Sequence, residues 1–360
     1  MSKEDSPSIR RARSRKGAPG ILNVALRAGV SSATVSRYFN NPEVVRSGTR
    51  QRIETAAREL DYIRDRMAGT LHGKMSGTIG LIVPTIDHAI FSELIEAFSA
   101  ELHAHDRTML IASHNYDLER EIGIVRSLLE RRIDAIALVG RDHPMAAIEM
   151  IRVRAIPAVS LWNAVSAIGI PTIGTDNKQG AFDVTQHVIE LGHQRIALLF
   201  PDTEFNNRAR DRKVGALQAL ALGGIEVPAS WDLPCAYDTV QAKAVAMSLM
   251  QKYATKNRPT AFICGNDIIA HGVIYAATRL GINIPQDLSV VGIGDFKGSS
   301  AIEPPLTTVR LPARRIGQMA ADTLINKVIG NSVAHLSDVT IPTQLIVRES
   351  TGVAPESGIV

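Results

Sequence analysis

The stretch "AGVSSATVSRYFNNP", Ala28 to Pro42, sets short side chains close together at Ser31, Ser32, Ala33, Thr34 and Ser36, then adds Arg37 and Asn40. A core helix would carry more bulk there, and a solvated helix more charge. Two apolar anchors, Val30 and Val35, flank a strip of hydroxyls that suits close approach to a flat or grooved polar surface. Small hydroxyl residues let a helix sink into the major groove and donate to phosphates, and an arginine such as Arg37 can reach guanine O6 and N7 together. The competing reading is an ordinary core helical hairpin. Charge decides between them. Residues 1–76 hold 15 Lys+Arg against 7 Asp+Glu, which leaves 25 basic and 29 acidic residues for 77–360 out of the totals of 40 and 36. The positive excess therefore sits in the first fifth of the chain and points to a polyanion partner there.

Signals for catalysis are weak. "GIGDFKG", Gly292 to Gly298, has the wrong spacing for a dinucleotide turn, and Pro304 and Pro305 stand where a helix should follow. No Gly-x-Ser-x-Gly, His-Glu-x-x-His or P-loop pattern occurs. Cys264 and His271, read at the start of a helix, fit core packing better than metal binding. The only other cysteine is Cys235, so no disulfide framework or metal-ligand pattern arises, and a reducing compartment is expected. Neither enzyme activity nor a cofactor or metal is expected. The start, "MSKEDSPSIRRARSRKG", lacks the apolar stretch of a secretory signal. No apolar run reaches the roughly 20 residues that span a bilayer. A cytoplasmic protein without a membrane partner is the expectation.

Several elements must position these residues. Residues 1–18 read as a basic arm. The patterning predicts a helix over about Leu22–Ala28, a left-handed turn at Gly29, and a second helix capped by Ser31 that runs to about Phe39. A third spans about Gly48–Leu60. Helix, tight turn and helix is the helix-turn-helix pattern. From Thr78 the rhythm changes to strand-like runs ("TIGLIVP", "RTMLIAS", "DAIALVG", "PAVSLW", "RIALLF", "TAFICGN", "LSVVGIGD") with amphipathic helices between most of them. Alternation of this kind implies βαβ units and parallel sheets. Two sets, separated near residue 165, predict two doubly wound lobes with a ligand cleft beyond the strands' carboxyl ends. Those ends are polar or aromatic, though polar loops also serve simply as helix caps.

The stretches "VALRAGVSSATVSRYFNNPEVV", "GTIGLIVPTIDHAIFSELIEAF", "GTDNKQGA", "PTAFICGNDIIAHG", "GINIPQDLSVVGIGD" and "PPLTTVRLP", in that order, resemble the LacI/GalR family of transcription regulators from Ile21 to Thr351. The resemblance implies an α/β protein: an all-α helix-turn-helix domain (19–63), a hinge (64–76), and a two-lobed core of periplasmic-binding-protein type (77–353), with crossings near 163–175, 296–308 and 335–342. It implies base reading by Ser32, Ala33 and Arg37, and phosphate contacts by Ser31, Thr34, Ser36 and Asn40. Leu71 matches a hinge leucine that wedges into the minor groove. Arg64, Asp65 and Gly69 depart from the family's usual proline, asparagine and arginine, and Gly69 disfavours helix by about 1 kcal/mol relative to alanine. For an effector the matching positions are Asp87, His88, Ile90, Phe91, Trp162, Asn163, Asn206, Arg208, Arg212 and Asn266. The usual acid position is Gly294 here, with Asp295 next. An arginine fork with an aromatic stacking face suits a sugar or sugar acid. The implied protein is a repressor of carbohydrate-utilisation genes that binds a near-palindromic operator. The closing "ESGIV", without a leucine heptad, favours a homodimer over a tetramer. The alternatives are an activator, a corepressor-dependent regulator, or a sugar-binding transport protein of the same two-lobed fold.

Overall fold

Ser31 turns the chain into its second helix: its hydroxyl accepts the Thr34 amide, which satisfies one of the donors that every helix start leaves open. The computed structural model describes residues 19–64, 75–87, 89–165, 169–204, 206–330 and 337–355. It divides into two compact units at Ser76/Gly77.

The first unit is a helical cluster. Helix α1 (Ile21–Ala28) ends on Gly29, whose φ of 63° is the left-handed conformation that closes the turn. Helix α2 (Ser32–Asn40), a short 3₁₀ turn (Pro42–Val44) and α3 (Ser47–Glu59) follow. Val24, Ala25, Ala28, Val35, Val45, Ile53 and Ala56 form one buried cluster. Each helix gives one apolar stripe to it and leaves the opposite face to solvent.

The second unit holds two six-stranded sheets. The first is built from β1 (Thr78–Val83), β2 (Thr108–Ser113), β3 (Ala135–Val139), β4 (Ala158–Asn163), β5 (Thr172–Thr175) and β11 (Val339–Thr340). Its order is β11-β5-β4-β3-β1-β2, and every pair is parallel. The second contains β6 (Ile196–Phe200), β7 (Asp232–Pro234), β8 (Ala261–Cys264), β9 (Ser289–Gly294), β10 (Thr307–Arg310) and β12 (Gln344–Ile346). Its order is β12-β10-β9-β8-β6-β7, parallel except for β12. Central strands such as Ala135–Val139 and Ile196–Phe200 are buried throughout, which explains why they read as unbroken apolar runs.

The helices between the strands are α4 (Ala89–Ala104), α5 (Leu118–Glu130), α6 (Met145–Arg154), α7 (Asn177–Glu190), α8 (Asn207–Leu222), α9 (Thr239–Lys252), α10 (Asp267–Leu280) and α11 (Ala313–Val328). Helices α7 and α8 pack so closely that a Cβ on Gly215 would lie 2.0 Å from the Lys178 carbonyl oxygen. Only glycine fits there, and this contact sets the height of α8, whose first turns carry Arg208 and Arg212.

The chain passes between sheets after Thr175, after Arg310, and between Thr340 and Gln344. The second passage corrects the expected range 296–308. Thr307–Arg310 pairs with Val291–Gly294 and so stays in the second sheet until α11 begins. The separation expected near residue 165 also moves, because β5 pairs with β4 in the first sheet. Cys264 ends β8 rather than starting a helix.

Candidate nucleic-acid interface and ligand cleft

On α2 the row Ala33/Arg37 lies opposite Val35, and the row Ser32/Ser36/Asn40, also at four-residue spacing, runs along the flank beside it. Ser31, Ala33 and Arg37 are exposed, while Ser32, Thr34, Ser36 and Asn40 are half-buried. The Ser31 and Thr34 hydroxyls lie 2.9 Å apart. Arg37 makes no hydrogen bond or ion pair with another described residue. Arg27, by contrast, is paired with Glu59 at 2.6 Å, and Arg58 with Glu54 at 3.6 Å. Asn40 is less available than expected. Its amide donates to the Ser36 carbonyl at 2.7 Å, and its carbonyl accepts a short bond from Arg64. Arg64 also donates to the Phe39 carbonyl and lies 6.0 Å from the Phe39 ring centre. The residue that departs from the family's proline thus caps the end of α2. Leu71, with Asp65 and Gly69, lies outside the described residues.

In the second unit the strands' carboxyl ends bring residues of both lobes together. Trp162, the penultimate residue of β4, has a φ of 83°, a strained value for a bulky side chain. Its ring meets Phe91 edge-on, with centroids 5.4 Å apart. From the second lobe, the Arg208 guanidinium lies 5.8 Å from the Phe91 ring centre. The Arg212 Nε donates to Asn177 Oδ1 at 2.9 Å and its Nη1 to the Gly265 carbonyl at 3.0 Å. Asn177 in turn donates to the Trp162 carbonyl at 3.2 Å. Asn163 donates weakly to Asp211, at 3.4 Å. Phe91, Trp162, Asn163, Arg208 and Arg212 are therefore brought together and buried.

Three polar atoms of this group are buried with no hydrogen-bond partner: Trp162 Nε1, Asn163 Oδ1 and Arg212 Nη2. A buried polar atom left unpaired costs about 1–3 kcal/mol, so native interiors rarely leave several in one place. Burial pushes the Tyr116 phenol, whose oxygen accepts from Arg208, up to about 12, so it stays protonated. Burial also lowers the pKa of the Arg212 guanidinium, with Arg208 adding to the effect against an opposing contribution from Tyr237.

The other expected cleft residues have different places. Asn206 and Asn266 are N-caps of α8 and α10, accepting the Ala209 and Ile269 amides at 3.2 and 3.0 Å. The Asn206 amide also donates to the Tyr237 hydroxyl at 3.3 Å. Ile90 and Asp295 line a separate cavity of about 470 Å³ that shares Trp162 as a wall. The Asp295 carboxylate is held by Arg310 at 2.7 Å and Arg348 at 2.6 Å, so its charge is spent inside its own lobe. Asp87 is exposed and donates its amide to Thr85. His88 lies outside the described residues.

Reasoning from sequence also missed a clasp between the lobes. Arg141 pairs with Asp211 through two hydrogen bonds of 2.9 and 3.1 Å, and Arg210 pairs with Asp142 at 2.9 Å. The signal was present as Arg-Asp in "GRDH" and again in "RARDR". The pairs are partly solvated, so each contributes little. A double-mutant cycle on Arg141→Ala and Asp211→Ala, read by chemical unfolding of the core, is expected to give a coupling of about 0.5–1 kcal/mol. A coupling of zero would remove the clasp.

Comparison with known proteins decides the family. Residues 20–65 match the model for bacterial regulatory proteins of the lacI family, and residues 185–351 match a periplasmic binding protein-like domain. The repressor CytR of Escherichia coli is 32% identical over 96% of this chain and 100% of that protein. The chain belongs to the LacI family of DNA-binding transcriptional repressors. The repressor PurR of Erwinia tasmaniensis is 30% identical over 93% of this chain and 97% of that relative. A crystal structure of the lac repressor dimer bound to operator and the anti-inducer ONPF superposes with a TM-score of 0.81. It is 28% identical and covers 93% of this chain and 100% of that one. A LacI-family regulator from Silicibacter pomeroyi shares the fold with a TM-score of 0.84 at 21% identity, over 93% and 99% of the two chains. Among the described residues no helix is long and apolar enough to cross a membrane, and no His/Cys/Asp/Glu cluster could hold a metal.

Proposed function

We propose that this LacI-family repressor controls carbohydrate-utilisation genes and that a small sugar or sugar acid in the interlobe cleft sets its operator affinity. In this reading 19–63 reads DNA, 64–76 links, and 77–353 binds effector and dimerises. One helix-turn-helix contacts only a few base pairs, so useful affinity needs two copies on a near-palindromic site. Ser32, Ala33 and Arg37 face the bases, with Ala33 limited to a methyl contact. Ser31, Thr34 and Ser36 face phosphates, and Asn40 does so only by giving up its bonds to Ser36 and Arg64.

The observation that carries effector control is the group of three unpaired buried atoms on Trp162, Asn163 and Arg212, from both lobes, beside an aromatic face. A bound ligand would satisfy them and favour one lobe arrangement over another. Coupling of that choice to DNA is typically worth about 1–3 kcal/mol. The lac repressor, which binds operator and a small anti-inducer as a dimer, is the supporting precedent.

Selection of genomic fragments by the purified full-length chain at near-physiological salt tests this. A short inverted repeat beside sugar-utilisation genes is the expected enrichment. Binding without sequence preference that simply fades as salt rises would overturn specific reading. An enriched repeat beside unrelated genes would overturn the carbohydrate assignment.

A further inference from the structure

The cleft holds two buried guanidiniums, neither in ion-pair contact with an acid; the buried Asp267 acts on Arg212 only through space. Arg208 is 5% and Arg212 1% exposed. Arg212 bonds only to neutral acceptors, the Asn177 amide oxygen and the Gly265 carbonyl, and its Nη2 has no partner. Arg208 makes one long bond to Asn207 at 3.5 Å, bonds to the Tyr116 phenol, and reaches over Phe91. Among the described residues no carboxylate comes within ion-pair distance of either guanidinium. The neighbouring acids are engaged elsewhere. Asp211 is bound by Arg141, Asp142 by Arg210, and Asp295 by Arg310 and Arg348. Glu121 lies 2.8 Å from His143 Nδ1. Asp267 accepts from the Phe296 amide and the hydroxyls of Ser299 and Thr308.

We propose that the effector carries a negative charge, a carboxylate or phosphate held jointly by Arg208 and Arg212. This rests on the reading of the cleft as an effector site and narrows what that site accepts. Two neighbouring buried cations with no paired counter-ion are costly, the attraction of Asp267 on Arg212 being smaller than the repulsion from Arg208, and a neutral sugar would fill hydrogen bonds without compensating either charge. An anionic group does both, since its oxygens accept the planar fork of donors that arginine presents. The remaining unpaired atoms describe the rest of the ligand. Arg212 Nη2 and Trp162 Nε1 call for acceptors, whereas Asn163 Oδ1 calls for a hydroxyl or amide donor. Acceptor oxygens beside a hydroxyl describe a polyhydroxy acid or a sugar phosphate.

The test compares thermal unfolding of the full-length chain with D-gluconate, glucose 6-phosphate and D-glucose at matched ionic strength, for wild type and Arg208→Met. At least one anion is expected to raise the wild-type Tm while glucose leaves it unchanged, and the gain should vanish in the variant. Gluconate alone would assign a carboxylate, and glucose 6-phosphate alone a phosphate. Glucose acting as strongly as the anions, or an undiminished anion response in Arg208→Met, overturns the proposal. Where neither anion acts, the ligand-free variant decides. Removing an uncompensated buried cation should raise Tm by about 2–4 °C, and an unchanged or lowered Tm overturns the proposal. Operator binding separates this from effector control. An anion that binds without altering operator affinity keeps the charge requirement and removes the control. Glucose that alters operator affinity does the reverse.

Discussion

Replacing Arg37 by alanine is expected to weaken operator binding by about 1–3 kcal/mol, roughly 5- to 150-fold, and to relax preference at a single base position. The arginine lies in the last turn of α2, one turn beyond Ala33, on the side opposite the buried Val35. It is exposed and makes no bond to another described residue, so the module spends none of its donors internally. Truncation therefore leaves no buried partner unpaired, and the fold of the module should be preserved. The measurement is affinity for the selected operator and its single-base variants, at one salt concentration. A base-reading role gives a large loss on the preferred sequence and a flattened response at one position. A uniform loss across all variants, with a shallower salt dependence, would make Arg37 a phosphate contact instead.

Local chemistry made the reading module legible. Ser31 as cap, Gly29 in a left-handed turn and the apolar stripe of Val24, Ala25 and Ala28 are each decided within a few residues. The buried parallel strands were legible for the same reason, since burial on both faces writes an apolar run. What escaped depends on partners far away in sequence. Strands β7, β11 and β12 have two or three residues each, too short to carry a period, and gain their identity only from pairing at a sheet edge. Thr307–Arg310 could not be assigned to a lobe until its pairing with β9 was known.

The site divides in the same way. Resemblance to the family, with residue type supplying the chemistry, singled out Arg208, Arg212, Trp162 and Asn163. The fate of Asp295 was invisible, because one of the two arginines that neutralise it is Arg348, far along the chain. Asn177, which links Arg212 to Trp162, lay inside the quoted stretch "GTDNKQGA" but reads locally as an ordinary first residue of a helix. Arg64 was noticed as a departure, and its role as a cap on α2 required the fold.

In Arg212→Ala the change in operator affinity caused by the effector is expected to vanish. The guanidinium joins three elements: it holds Asn177 in α7, which in turn donates to the Trp162 carbonyl of β4, and it binds the Gly265 carbonyl beyond β8, with its Nη2 left unpaired. Alanine removes the ligand's donor and also leaves the Asn177 and Gly265 oxygens unsatisfied, at about 1–3 kcal/mol each where water cannot enter. Relief of one buried, uncompensated charge opposes that loss, so the core should still unfold cooperatively. Arg212→Lys separates charge from geometry. An ammonium keeps the cation but cannot bridge Asn177, Gly265 and a ligand in one plane, so the response should survive with at least about tenfold weaker effector affinity. Both variants are read by operator affinity with and without the ligand that alters the wild type. A full response in Arg212→Ala would remove the arginine from the effector site. Loss of operator binding together with a collapsed unfolding transition would assign it to the fold alone, as the residue that ties α8 to both sheets.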